Sequence, residues 1–188
     1  MEEEQRENFF TELLKFAFVA LCIVVPIRLF ILQPFIVSGQ SMVPTFQNSQ
    51  YLFVDELSYY FETPQRGDVI VFHYPKDTSQ FFIKRIIGLP GETLHISDTG
   101  VTIQKPGSAS TTDITIADSY IVNHGNGGEQ TYTVPLGEYF VMGDNRPESS
   151  DSRVWGFLPK KDIVGRVLLR LLPVSVAALF PGAITLPQ

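Results

Sequence analysis

The chain has 188 residues, enough for one domain with an added anchor or small insertion. Hydrophobic residues make up 44% of it and charged residues only 18%, which excludes an intrinsically disordered chain. The net charge of −6 gives no basic surface for nucleic acid. The single cysteine, Cys22, cannot form an internal disulfide, and no paired cysteines or His-x-x-x-His motif indicates a metal site. We therefore expect neither a metal nor another cofactor.

The first element is an apolar segment over residues 16–33, preceded by a short acidic tail, residues 1–15. Its apolar part is about 17 residues long, near the lower limit for crossing a bilayer as a helix. Pro26 interrupts it, and Arg28 near its outer end can extend toward the interface. The pattern predicts a single transmembrane anchor. A buried core helix and a removable secretory signal are the alternatives, although the acidic tail is unlike a secretory leader.

The remainder, residues 34–188, is predicted to be mainly β, because apolar β-branched and aromatic runs are punctuated by Gly and Pro. Residues 57–61 form a short helix or a loop. A stretch of about 97–133 is rich in Thr, Ser, Gly and Asn toward its end, and it is predicted to be a small β insertion at the side of the main sheet. The apolar tail, residues 174–188, is too short for a second span, so we expect it to pack on the domain or on a membrane surface. Strands are predicted at 35–38, 51–55, 68–74, 80–88, 93–96, 101–104, 138–142 and 163–171.

Ser41 closely follows the anchor, within the string S-G-Q-S-M-V-P-T of residues 38–45. Taken alone, this string indicates only a turn. A serine hydroxyl becomes a nucleophile when a neighbouring base takes its proton. Three histidines could complete a Ser-His-Asp triad, but none lies in a recognisable catalytic setting: His73, His95 and His124. A different base is therefore required.

Lys84 is the candidate base, in the string F-F-I-K-R-I-I-G of residues 81–88. Its apolar neighbours predict that the amine is removed from water, although a surface lysine on an edge strand is the usual alternative. An ordinary lysine has a pKa near 10.4, and lowering it into the working range costs roughly 3–4 kcal/mol of stability. Such a cost indicates a function, because a desolvated neutral amine can accept the proton of a serine hydroxyl.

A third segment completes the pattern, with V-M-G-D-N-R at residues 141–146 and S-S-D-S-R at residues 149–153. Together with the Ser41 and Lys84 segments, and in the same order, it resembles the type I signal peptidases, a family of Ser/Lys leader peptidases. The resemblance covers residues 35–172 and is weakest in 97–133. It implies a signal-peptidase-like β-fold catalytic domain with a small β insertion, preceded by one transmembrane helix.

The resemblance implies a role for each matching residue. Ser41 is the nucleophile and its backbone N–H an oxyanion donor, Lys84 is the general base, and Ser149 orients the lysine. A second oxyanion donor is uncertain, because Gly39 stands where some members have serine. The remaining implied residues are an apolar substrate pocket of Met42, Phe46, Phe82 and Ile83 and the structural ion pairs of Arg85, Asp144, Asp151 and Arg153.

The function that the resemblance implies is the removal of N-terminal signal peptides from exported preproteins, with cleavage after small residues of the Ala-x-Ala type. The expected partners are preprotein signal peptides, membrane lipid and the secretion translocon, with no nucleic acid. The protein would be a single-pass protein of the cell membrane, with a cytoplasmic N-terminus and an extracytoplasmic catalytic domain. Two alternatives remain: a repressor-type self-cleaving Ser/Lys protease and a non-catalytic tethered β-domain that binds a partner.

Overall fold

The computed structural model describes residues 9–22, 32–107, 114–116, 120–121, 128–184 and 186. Residues 9–22 are helical (α1), and their large apolar side chains are exposed on all sides. Within these described stretches, no helix is long and apolar enough to cross a membrane. The predicted anchor over 16–33 stays a prediction, because residues 23–31 lie outside the described residues.

Two antiparallel sheets make up the described β structure, as expected for a mainly β protein. The larger sheet has the strand order β1-β2-β11-β3-β4-β9-β10, with β12 beside β11. The smaller sheet has the order β7-β6-β5-β8. The strands are β1 (Leu32–Ile36), β2 (Tyr51–Asp55), β3 (Val69–Tyr74), β4 (Asp77–Gly88), β5 (Thr93–Ser97), β6 (Gly100–Gln104), β7 (Ile114–Thr115), β8 (Gln130–Thr133), β9 (Glu138–Met142), β10 (Leu158–Pro159), β11 (Ile163–Leu172) and β12 (Ala178–Leu179).

Helical structure after α1 is short in the described residues. Two four-residue helices, α2 (Ser58–Phe61) and α3 (Ser152–Trp155), are accompanied by 3₁₀ turns at Lys160–Asp162 and Val174–Val176. Asp151 caps α3, where its side chain accepts a hydrogen bond from the Arg153 N–H. This cap places α3 directly behind the end of β9.

The core of the large sheet is built from the β-branched runs that predicted its strands. Val69, Ile70, Val71 and Phe72 are all buried, so β3 is covered on both faces. β4 lies between β3 and β9 and is the longest strand, with twelve residues. Its first half is exposed and its second half is buried, so the strand runs from the surface into the core.

The small sheet has a core of its own, in which Leu94, Val101 and Ile103 pack against Phe140 of the large sheet. The sequence predicted an insertion beside the main sheet. The described part of that stretch also supplies a core residue, Ile116, which is 2% exposed. Ile116 is carried next to β6, where its N–H bonds the carbonyl of Val101.

The C-terminal tail packs on the domain. Leu186 is buried in the core of the small sheet, and β12 pairs with β11. Several tail side chains are nevertheless exposed, among them Val174, Leu179 and Phe180. The tail is therefore packed on the domain, as the sequence predicted, and it also presents an apolar surface.

Candidate active site

Ser41 lies in a loop that connects β1 to β2 and is fixed by backbone hydrogen bonds. The Ser41 carbonyl accepts from the Asn145 N–H at 3.0 Å, and the Met42 carbonyl accepts from the Phe46 N–H at 2.8 Å. Gly39, with φ of +92°, adopts the left-handed backbone conformation that glycine tolerates best. No group of the described chain accepts a hydrogen bond from the Ser41 N–H, which remains available at the cleft.

Lys84 meets Ser41 across the cleft. The Lys84 Nζ lies 2.7 Å from Ser41 Oγ and donates to the Ile83 carbonyl at 2.9 Å. The residue is only 4% exposed, because it is the first residue of the buried half of β4. Its amine also lies 5.4 Å from the centre of the Phe82 ring. The two side chains are thus within hydrogen-bonding distance, in an enclosed and partly apolar site.

Burial lowers the pKa of Lys84 from its ordinary value of 10.5 to about 8, because the charged form loses its hydration. The carboxylates of Asp151 and Asp144 act in the opposite direction and raise this pKa by a smaller amount. A substantial fraction of the amine is therefore neutral near neutral pH, as a proton acceptor requires.

Arg85, the next residue of β4, projects to the other side of the strand and is fully buried. It donates two hydrogen bonds to Asp144, at 2.9 and 2.6 Å, and two more to the carbonyls of Gly67 and Gly182. Asp144 also accepts from the Thr45 hydroxyl at 2.6 Å. The pair therefore connects β4 with the Ser41 loop, the segment after β9 and the C-terminal tail.

Asp151 and Arg153 form a second ion pair, at 2.8 Å. Asp151 also accepts from the Gly143 N–H at 3.0 Å, and Arg153 donates to the Arg146 carbonyl at 2.7 Å. These bonds hold residues 143–146 against the loop that carries Ser149. Together, the two ion pairs surround the Ser41–Lys84 contact.

The three serines of the 149–152 segment have different environments. The hydroxyl of Ser149 is buried and has no hydrogen-bond partner in the described residues, and no bond joins it to Lys84. Ser150 lines the cleft, and the Ser152 hydroxyl accepts from the Val141 N–H at 3.0 Å. The lysine-orienting role of Ser149 stays a prediction.

Ser149 packs directly on Gly143. A methyl group at Gly143 would overlap the Ser149 hydroxyl and the Ser41 carbonyl oxygen. Glycine at this position therefore lets the segment after β9 approach both serines closely.

A cleft of about 410 Å³ extends from the Ser41–Lys84 contact. Phe82 and Ile83 line it, as the predicted pocket requires, together with residues 35–41. Met42 and Phe46 lie elsewhere: both are buried in the core beneath the Ser41 loop and pack with Val37. Their side chains point inward because the turn that begins at Ser41 reverses the chain over this core. The pocket assignment of all four residues stays a prediction.

The cleft lies between two strand edges. Within the part of the chain that the structure describes, β1 is the last strand of its sheet and pairs only with β2, and β9 pairs with β4 only from Arg85 onward. Among the described residues, no strand covers residues 80–84 of β4 on that side. The N–H and C=O groups of such edges can pair with an added extended chain.

Two contacts of the site region had no local signal in the sequence. The Asn145 side chain donates to the Gln40 carbonyl at 3.1 Å, across 105 residues. Arg66 forms a buried, two-pronged ion pair with Glu92, across 26 residues. Both contacts join residues that are far apart in the chain, so no local pattern indicates them.

Comparison with known proteins identifies the family of the chain. A model of the family described as signal peptidase, peptidase S26, matches residues 10–172. A probable signal peptidase I-1 of Synechocystis sp. is 38% identical over 175 residues, which cover 89% of this chain and 85% of that protein. A signal peptidase I of Bacillus caldolyticus is 34% identical over 165 residues, which cover 83% of this chain and 88% of that protein. A crystal structure of a signal peptidase I from Enterococcus faecalis is 33% identical, with a TM-score of 0.46, and the match covers 56% of this chain and 97% of that one.

The family match extends from the N-terminal helix to the end of β11 and includes all three segments on which the resemblance was based. The predicted family and the predicted enzyme class are confirmed, and a non-catalytic β-domain is not supported. The chain belongs to the signal peptidase family, peptidase S26, and is a serine endopeptidase of the type I signal peptidase class.

Proposed function

We propose that this protein is a membrane-anchored peptidase that removes N-terminal signal peptides from exported preproteins, with Ser41 as nucleophile and Lys84 as general base. The main support for this proposal is the 2.7 Å separation of Lys84 Nζ and Ser41 Oγ in a buried site where the pKa of the lysine is about 8. The neutral amine accepts the Ser41 proton while Ser41 Oγ attacks the scissile carbonyl.

In the acylation step, the bond from Oγ to the carbonyl carbon forms, and the carbonyl oxygen takes up the negative charge. The unoccupied Ser41 N–H is the candidate donor to that oxygen. The C–N bond then breaks, and Lys84 returns its proton to the leaving amine. In the second step, water gives a proton to Lys84 and its oxygen attacks the acyl carbon. The bond from Oγ to that carbon then breaks, and Lys84 returns the proton to Oγ, which releases the signal peptide and restores Ser41.

An extended substrate fits the cleft because both of its walls are strand edges. In an extended chain, alternate residues point to the same side, so the residue before the cut and the one two positions earlier face the same wall. Phe82 and Ile83 are bulky and line this wall. Small side chains at those two positions, as in an Ala-x-Ala sequence, would fit where larger ones would overpack.

Membrane attachment is supported by two apolar surfaces. The exposed apolar side chains of α1 are typical of a helix surrounded by lipid rather than by water. On the catalytic domain, Ile36, Tyr51 and Leu172 are exposed at paired positions of neighbouring strands. Ile36 also lines the cleft, so the apolar surface reaches the proposed site. A substrate in the same bilayer would be held at a high effective concentration.

The test is cleavage of a purified preprotein that contains an Ala-x-Ala site by the full chain in detergent, with mass spectrometry of the new N-terminus. We expect one cut after the second alanine. Ser41→Ala should abolish this cut, whereas Ser150→Ala should retain it, because Ser150 lines the cleft but lies outside the proposed dyad. Cleavage that survives in Ser41→Ala would contradict the proposal.

A further inference from the structure

The Gln40–Ser41 peptide group is held from its carbonyl side. Its C=O accepts two hydrogen bonds at 3.1 Å, one from the Val43 N–H within the turn and one from the Asn145 side-chain amide. Its N–H is that of Ser41, the candidate oxyanion donor. In a planar trans peptide the C=O and N–H point in opposite directions, so fixing one fixes the other.

Asn145 is well placed to fix this group. It is 5% exposed and lies between two buried residues, Asp144, which is bound to Arg85, and Arg146. Its backbone N–H holds the next carbonyl, that of Ser41, at 3.0 Å. One residue on a rigid segment therefore bonds two consecutive carbonyls of the loop that carries the nucleophile.

We propose that Asn145 is a positioning residue for the oxyanion donor: its side-chain amide holds the Gln40 carbonyl so that the Ser41 N–H points into the cleft. The same bond polarises the peptide group, which makes its N–H a stronger donor. This inference rests on the proposed function, because it requires that an oxyanion forms at Ser41.

Substitution of Asn145 separates this role from ordinary loop packing. Any residue other than proline keeps the backbone N–H that bonds the Ser41 carbonyl, so a side-chain change removes the bond to the Gln40 carbonyl and leaves the backbone bond in place. Asn145→Ala leaves that carbonyl with the Val43 donor alone. Asn145→Asp preserves the shape but places an acceptor oxygen against the carbonyl oxygen. Asn48→Asp is the matched control, because its acceptor oxygen for the exposed Gly39 N–H is kept.

The experiment measures kcat and KM for preprotein cleavage by the full chain in detergent, together with the inhibition constant of a substrate-like peptide aldehyde. The aldehyde adds to the serine and places an oxygen where the oxyanion forms, so it reports on transition-state binding. We expect Asn145→Ala to lower kcat about 10- to 100-fold, to weaken the aldehyde by a similar factor and to leave KM nearly unchanged. Asn145→Asp should lose at least as much, and Asn48→Asp should behave as the wild type.

Three results would overturn this inference: an unchanged kcat in Asn145→Ala, a loss that appears in KM but not in aldehyde binding, or unfolding of both Asn145 variants at the assay temperature. A shift in the pH midpoint of Asn145→Ala would also count against it, because the proposed role does not involve Lys84. Ser41→Ala distinguishes a failure of the proposed function from a failure of the Asn145 inference. If it stays active, the proposed function fails, and if it is inactive while Asn145→Ala is fully active, only the present inference fails.

Discussion

β4 carries two buried basic side chains on opposite faces, and they differ in their bonding partners. Arg85 points to one face, is fully buried, and has its charge met by both oxygens of Asp144. Lys84, one residue earlier, points to the other face and is almost as buried. Its partners in the described residues are a hydroxyl and a carbonyl oxygen, with no carboxylate at ion-pair distance.

This difference shows that pairing, and not burial alone, decides what a buried cation does. A cation that is bound to a carboxylate gains attraction and hydrogen bonds that offset the loss of hydration, so it serves as scaffold. A cation without such a partner keeps the desolvation penalty, and its pKa falls until the neutral form is accessible. One strand can therefore carry both a structural charge and a candidate base on consecutive residues.

The largest effect on activity is expected when Lys84, the basic residue without a carboxylate partner, is replaced. Lys84→Met should lower cleavage by at least a factor of about 10³, because Lys84 is the hydrogen-bond partner of Ser41 Oγ in the described structure and the variant removes this proton acceptor. The same variant should be more stable than the wild type by up to roughly 3 kcal/mol at pH 7, which corresponds to the difference between a pKa of about 8 and the ordinary 10.5. Activity assays and denaturant unfolding measure the two effects.

The lowered pKa of Lys84 also predicts how the stability of the wild type changes with pH. Between pH 8 and 10.5 the unfolded chain holds more protons at Lys84 than the folded one, so wild-type stability should rise with pH and approach that of Lys84→Met. Lys84→Arg is the matched control, because it keeps a charge that cannot be removed and should be inactive without the gain in stability. An active Lys84→Met protein would refute the assignment of the base.

Replacement of Arg85, which is paired with Asp144, should lower stability instead of raising it. Arg85→Met should reduce the free energy of unfolding by about 3–5 kcal/mol, because Asp144 is left as a buried and uncompensated charge. The double variant Arg85→Met/Asp144→Leu should recover part of this loss, since neither charge then remains buried. Denaturant unfolding of the two single variants and the double variant gives the coupling. A loss in the double variant that equals the sum of the two single losses would give zero coupling and show that the ion pair adds nothing to the scaffold.

Much of this arrangement was predictable from sequence because it follows from local patterns. The apolar runs predicted β2 and β9 at the observed bounds, and they predicted β3, β4, β5, β6 and β11 to within a few residues. The apolar neighbours of Lys84 predicted its burial, because strand residues close to a buried run enter the core with it.

The features that escaped prediction depend on distant contacts. The two-residue strands β7, β10 and β12 have no periodic pattern, and they form only because a neighbouring strand offers partners. The packing of Met42 and Phe46 in the core had no local signal, because it depends on the turn that directs them inward, and their assignment to the substrate pocket stays a prediction. Asn145 and Gln40 are 105 residues apart, so no local rule could bring them together.

The pH dependence of cleavage reports the protonation state of Lys84. With a pKa of about 8, roughly a tenth of the Lys84 amine is neutral at pH 7, whereas a fully hydrated lysine would have less than one part in a thousand neutral. We expect kcat/KM to fall about tenfold per pH unit below pH 8 and to level off above it. The measurement is initial cleavage rate across pH 6–10 in detergent. A rate that still rises about tenfold per pH unit up to pH 10 would show that desolvation does not tune this lysine.

The smallest expected effect concerns Ser149, whose buried hydroxyl packs on Gly143 and has no hydrogen-bond partner in the described residues. If this hydroxyl orients the lysine during the reaction, Ser149→Ala should lower kcat by about fivefold, the worth of one hydrogen bond of about 1 kcal/mol. Stability should not fall, because removal of a buried hydroxyl that has no partner leaves no other group unsatisfied. Ser152→Ala is the matched control: it should lose stability with little change in kcat, since its hydroxyl holds the Val141 N–H. Unchanged kcat in Ser149→Ala would remove this residue from the site and leave Lys84 positioned by Ser41 and the Ile83 carbonyl alone.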